Sequence, residues 1–300
     1  MMLKKLGLIL LTMSISVLLS SCHIKKKDEE TISRTTTNLR VYQPGDVITY
    51  NVIAVSNSGT TSQGTLRVEW EQTPDLTDPI DGSTKYPVLK ETTTLTYNPD
   101  STEANATIIR YIHQETSSTA PDNSGQTSLY AIGGGTSLYW LYNPDNVNNP
   151  SSDIILPVIF DSPMKVGTPP PNSPLTFSVM EDCGVTVGQC GAEIYKFDDN
   201  FTIIGDTTPV TTNLGKFSNP FEIEFFGATT PKNSPATSFP GDIRSICGTS
   251  ADQVSYNGTM FVMPEIGMVR MVNLCQNSTS GGVAQVNYII TLNNTNIPLP

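Results

Sequence analysis

Residues 65–71 read Thr-Leu-Arg-Val-Glu-Trp-Glu. Leu66, Val68 and Trp70 occupy alternate positions, with Thr65, Arg67, Glu69 and Glu71 between them, so an extended chain puts the apolar set on one face and the charges on the other. The stretch therefore predicts a strand buried on one side only. Upstream, Tyr42-Gln43-Pro44-Gly45-Asp46 has turn chemistry, after which Ile48, Tyr50, Val52 and Ala54 repeat the period up to the break at Ser56-Asn57-Ser58-Gly59. Downstream the same period recurs in Thr93-Leu95-Tyr97, Ile109-Tyr111-His113, Leu138-Trp140-Tyr142, Phe221-Ile223-Phe225 and Val286-Tyr288-Ile290-Leu292. Turn clusters such as Asn98-Pro99-Asp100, Pro121–Gly125 and Asn143-Pro144-Asp145 fall between these runs, leaving no room for crossover helices. The expected fold is all-β: a mostly antiparallel, curved sheet, as half-barrel or sandwich, with few or no helices.

Composition agrees. The 300 residues include 22 Gly and 22 Pro, 37% are hydrophobic and only 15% are charged, which supports a buried core joined by many turns. A formal net charge of -11 excludes a polyphosphate partner, which demands a basic face, so no nucleic acid is expected. Residues 38–300 are read as a single β domain. Proline-rich stretches at 162–174 and 228–240 are read as surface loops, and a split near 143–174 is the alternative.

The amino end, MMLKKLGLILLTMSISVLLSSC, joins a basic start at Lys4 and Lys5 to an apolar run too short to span a bilayer comfortably, the layout of a secretory signal. Within it, Leu19-Ser20-Ser21-Cys22 resembles the lipobox of bacterial lipoproteins. The resemblance implies cleavage after residue 21, with Cys22 carrying a diacylglycerol thioether and a further acyl chain of the palmitate type. His23, where an Asp in this family marks inner-membrane retention, implies the outer membrane. Removal of residues 1–21 takes two of the 17 cations and leaves 15 against 28 acids, a mature balance of -13. Residues 22–37, with Lys25, Lys26 and Lys27 followed by Asp28, Glu29 and Glu30, are read as acylated anchor and flexible tether.

Two further resemblances concern the body. Residues 44–69, PGDVITYNVIAVSNSGTTSQGTLRVE, are similar to the opening of immunoglobulin-like bacterial surface repeats, which implies a structural or adhesive module. Gly45–Tyr50, Thr212–Phe217 and Phe261–Val269 together resemble uncharacterised periplasmic lipoproteins with a half-closed sheet like that of the outer-membrane lipoprotein carriers. That resemblance implies a concave apolar surface, for which Tyr111, Trp140, Met260, Met263, Met268 and Tyr288 are the expected lining. Methionines suit irregular apolar ligands, although filling a core is their commoner role.

With Cys22 assigned to the anchor, Cys183, Cys190, Cys247 and Cys275 remain in an oxidising compartment, an even number that predicts two disulfides. Three pairings are open to them; Cys183 with Cys190, in a loop eased by Gly184, Gly188 and Gly191, and Cys247 with Cys275 are the expected ones. No Cys-x-x-Cys spacing supports zinc. Of two histidines, His23 abuts the anchor, so a histidine-dependent triad rests on His113 alone, and no Gly-x-Ser-x-Gly elbow exists. Glu69 with Glu71 and Glu222 with Glu224 have the spacing of a glycosidase acid pair. Each opposes a clean apolar face, however, and is read as a solvated side. Asp75, Asp78 and Asp81-Gly82 are explained by turns without calcium. Neither cofactor nor metal is expected. The resulting expectation is a non-enzymatic, membrane-anchored envelope lipoprotein binding an apolar ligand or a partner protein. A structural or adhesive surface module and a glycan or cell-wall hydrolase are the alternatives.

Overall fold

The computed structural model describes residues 30–77, 83, 85–101, 105–116, 125–134, 137–142, 158–160, 164–167, 175–180, 193–231, 254–279 and 282–300. Residues from Thr31 to Pro300 make one compact unit. The signal and lipobox, including Cys22 and His23, lie outside the described residues, as do Asp78, Asp81, Gly82, Cys183, Cys190 and Cys247.

Every regular element among the described residues is a strand. They are β1 (Thr31–Ser33), β2 (Val47–Ser56), β3 (Thr61–Gln72), β4 (Leu76–Thr77), β5 (Lys85–Tyr86), β6 (Leu89–Tyr97), β7 (Ala106–Thr116), β8 (Gly125–Gly134) and β9 (Ser137–Tyr142). Then follow β10 (Val158–Phe160), β11 (Leu175–Met180), β12 (Glu193–Gly205), β13 (Val210–Thr212), β14 (Gly215–Ser218), β15 (Phe221–Pro231), β16 (Val254–Met263), β17 (Gly267–Thr279) and β18 (Gly282–Thr295). Thirteen strands join in one antiparallel array, ordered β10-β8-β7-β6-β3-β2-β18-β17-β16-β15-β12-β11-β9. The short strand β9 pairs with β11 through Trp140, Leu141 and Tyr142, and with β8 from Ala131↔Trp140 to Gly134↔Ser137. Strands on either side of residues 143–174 thus share one array. It is not the two-sheet sandwich of an immunoglobulin domain, although residues 44–69 do form the expected hairpin, β2 against β3.

Pairing follows the two-residue period. In β2, Ile48, Tyr50, Val52 and Ala54 are buried, and in β3 so are Leu66, Val68 and Trp70, with Ile48 opposite Val68 and Tyr50 opposite Leu66. The next strands continue that inner face with Thr93, Leu95 and Tyr97 of β6, Phe221, Ile223 and Phe225 of β15, and Tyr288, Ile290 and Leu292 of β18. A one-residue slip would turn each set out to water, so burial of this face fixes the register. The turn before β2 is equally determined. Pro44 and Gly45 are its central residues, Gly45 adopts φ +94°, and the Asp46 N–H donates to the Gln43 carbonyl at 3.0 Å, the type II arrangement that needs Gly at its third place.

The second sheet, β1-β14-β13, lies against the inner face. Its parallel pair β1–β14 sets Ile32 opposite Phe217, and both side chains are buried in the same core as Val210. Residues 31–37, expected to belong to the flexible tether, are therefore part of the fold. Arg34 reaches Asp206 at 2.9 Å and stacks 3.9 Å from the Phe221 ring centre, while Glu265 accepts hydrogen bonds from Thr35 and from the Thr36 N–H. A single apolar residue, Ile32, seats the segment, too little for a periodic signal.

In β7 the inward face is also shifted. The sequence reading put Ile109, Tyr111 and His113 together on a face, yet the buried residue is Ile112, and Arg110 turns inward to meet the buried Glu91 of β6. A register shift between Tyr111 and Ile112 in the β7–β8 ladder accompanies the change.

Candidate functional site

The end of the array that holds the β16–β17 turn carries the main polar cluster. Arg40 grips Asp46 through Nε and Nη2 at 2.9–3.2 Å, and the Asp46 carboxylate also accepts the Gln43 N–H at 2.9 Å, so one side chain closes both the ion pair and the turn. Beside it the Tyr42 ring stacks on Trp70, with centroids 3.9 Å apart and planes within 6°. Trp70 pairs across the ladder with Glu91, which is 3% exposed. Arg110 donates to Glu91 Oε1 through Nε at 2.7 Å and also through Nη2, and Thr93 Oγ1 approaches the same oxygen at 3.4 Å. Asp46 and Glu91 are thus each matched by an arginine, an arrangement that fixes geometry.

Tyr42 donates its hydroxyl proton to the Ile266 carbonyl at 3.2 Å. Burial raises its phenol well above 10.0, and the Glu91 charge raises it further; the Tyr50 phenol is raised first by burial, then by Tyr42 and Glu91. Above pH 10 the unfolded chain loses these protons while the folded chain keeps them, so the native state binds more protons and stability falls as pH rises. Two such groups give an expected slope of up to about 2.7 kcal/mol per pH unit above pH 10. Tyr42→Phe should remove about half of it. Urea midpoints between pH 9 and 11.5 measure this, and an unchanged slope in the variant would show that Tyr42 ionises freely.

The residues expected to line a concave surface are placed as follows. Met260, Met263 and Tyr288 are buried in the hydrophobic core, Met268 is half-buried against it, and Tyr111 is half-buried on β7. The Trp140 and His113 side chains lie outside the described residues. Met263, with no exposure, packs in the core with Ile266 and Val269 around the hairpin turn. Of the acid pairs, Glu69 is bound by Arg67 at 2.8 Å and Glu71 by Lys90 at 3.0 Å on the exposed face, and Glu222 accepts from Thr208 at 2.8 Å. Among the described residues no three His, Cys, Asp or Glu side chains come together as metal ligands. Cys275 is buried on β17, and its sulfur accepts a hydrogen bond from Asn273 Nδ2 at 3.3 Å.

A depression of about 220 Å³ opens over β15, β16 and β17, lined by Phe226, Ser255, Asn257, Leu274 and Gln276 with Gly227 and Tyr256. Phe226, Asn257 and Leu274 lie in one cross-strand row on the outer face, and Phe226 is 60% exposed. Sequence reasoning missed this site, yet a signal was present. Phe225 and Phe226 are adjacent in a strand, so one of the two rings had to face away from the core.

No protein-family model and no curated protein matches the chain. A solved structure of a "putative lipoprotein" from Parabacteroides distasonis aligns over 86% of this chain and 100% of its own, at 13% sequence identity and a TM-score of 0.33. Overlap so loose bears on neither fold nor activity.

Proposed function

We propose that the protein is a lipid-anchored envelope lipoprotein, attached through Cys22 to the outer membrane, whose β domain is a non-enzymatic binding module. Its ligand is apolar, either a small molecule or the side chain of a partner protein, taken on the outer face beside Phe226. The carrying observation is that exposed ring above the 220 Å³ depression, since a large aromatic left in water on a strand facing solvent costs free energy that binding recovers. The anchoring rests on Leu19-Ser20-Ser21-Cys22, and exported placement supports the disulfides Cys183–Cys190 and Cys247–Cys275.

Native mass spectrometry of the gently extracted protein tests the binding. A bound apolar molecule or partner is expected on the natural chain, with occupancy cut about tenfold in Phe226→Ser, the loss of roughly 1.4 kcal/mol or more from one buried aromatic contact. Equal occupancy in the two chains would move the binding surface elsewhere, and no adduct on either would remove the binding claim.

A further inference from the structure

We infer that the end of the domain bearing the β16–β17 turn rests on the bilayer that holds the Cys22 anchor, an inference that rests on the lipidation reading. Antiparallel pairing places the start of β2, the end of β18, the start of β15 and the end of β12 together at this end, through Ile48↔Thr295, Phe221↔Val262 and Gly205↔Glu222. β1 enters the fold here as well, Arg34 lying over Phe221 and Thr36 on Glu265. Only residues 23–30 separate Cys22 from Thr31. Nine Cα steps reach at most about 30 Å, whereas the opposite end, at the β2–β3 turn, lies ten strand residues or about 34 Å beyond this one. The anchor therefore brings the near rim to the lipid.

The surface of that rim supplies an independent observation. Five large apolar side chains are prominently exposed among the described residues, and three sit here: Val166 at 41%, Ile204 at 43% and Leu299 at 39%. The Gly167 N–H donates to the Ile203 carbonyl at 2.8 Å, which sets Val166 near Ile204. Asn296 binds Val47 and Gly45, which holds the segment of Leu299 on the same rim. Phe226 and Val272 belong to the outer face, and the turn at 56–60 exposes only Asn, Ser, Gly and Thr. Lys165, adjacent in the chain to Val166, is exposed as well. Apolar tips with a lysine beside them suit the headgroup boundary, where an interfacial surface buries its apolar side chains while cations remain at the lipid phosphates.

Tryptophan placed at single positions of the full lipidated chain, in phosphatidylcholine vesicles doped with brominated lipid, tests this contact. Emission from Val166→Trp and Leu299→Trp, after subtraction of the natural chain, should be quenched about twofold, as for side chains sunk ~5–10 Å into the interface. Ser58→Trp and Phe226→Trp should keep their emission. Equal quenching at all four, or quenching strongest at Ser58→Trp or Phe226→Trp, would overturn the rim contact while leaving the anchor intact. A chain that fails to sediment with the vesicles at all would overturn the anchor, and with it the rim contact.

Discussion

Replacing Cys22 with alanine is expected to release the protein from the membrane fraction and to abolish palmitate labelling. One saturated chain of about fourteen carbons binds a bilayer with a constant near 10⁴ M⁻¹, and each further buried CH₂ adds ~0.8 kcal/mol, so two or more chains make attachment effectively permanent. The Cys22 thiol is the atom at which the proposed diacylglycerol would be fixed, and no helix among the described residues is long and apolar enough to cross a membrane. Lys25, Lys26 and Lys27 add about 1 kcal/mol each against anionic headgroups, far short of the loss, and Asp28, Glu29 and Glu30 offset them. Carbonate washing of membranes followed by blotting measures the change. Retention of the alanine variant, labelled or not, would end the lipoprotein reading and leave the compartment of the four remaining cysteines unassigned.

The second large effect is on folding. Glu91→Ala is expected to cost about 3–5 kcal/mol, because it strands the Arg110 guanidinium, 12% exposed, in the inner face of the sheet without its counter-charge. Against a whole-domain stability of about 5–15 kcal/mol, that leaves a marginal fold. The double variant Glu91→Leu with Arg110→Met should recover most of the loss, since replacing both charges by apolar groups removes the desolvation cost together with the attraction. Urea unfolding of the three chains distinguishes the outcomes. A loss under about 1 kcal/mol for Glu91→Ala would mean that water screens the pair as it does at a surface.

Local alternation made most of the array legible. Where an apolar set sits on one face and Thr, Asn or charges on the other, as in Leu66-Val68-Trp70 or Tyr288-Ile290-Leu292, burial is decided residue by residue and the strand follows. The reading failed where a long-range partner decides. Arg110 points inward, where Glu91, nineteen residues earlier, is buried opposite it. Nothing within Ile108–His113 announces that partner, so the shared face of Ile109 and Tyr111 does not show that the opposite face, with Arg110 and Ile112, is the buried one. Residues 31–37 failed similarly: their polar composition reads as tether, and their fixing points, Asp206, Phe217 and Glu265, lie far along the chain. The expected methionine lining was legible as apolar but not as core or cavity, because periodicity gives a face without giving what lies over it. Phe226 was open to detection, and only the pairing of two neighbouring rings would have flagged it.

Docking of β1 beside β14 has a mechanical consequence for a chain held by its amino end. Drag on such a leash first meets three short backbone pairings and the seat of Ile32, and then the Arg34–Asp206 bridge and the Glu265 bonds. The thirteen-strand array feels the pull only after that. Residues 31–37 would thus act as a fuse, peeling and re-seating while the thirteen-strand array keeps its shape.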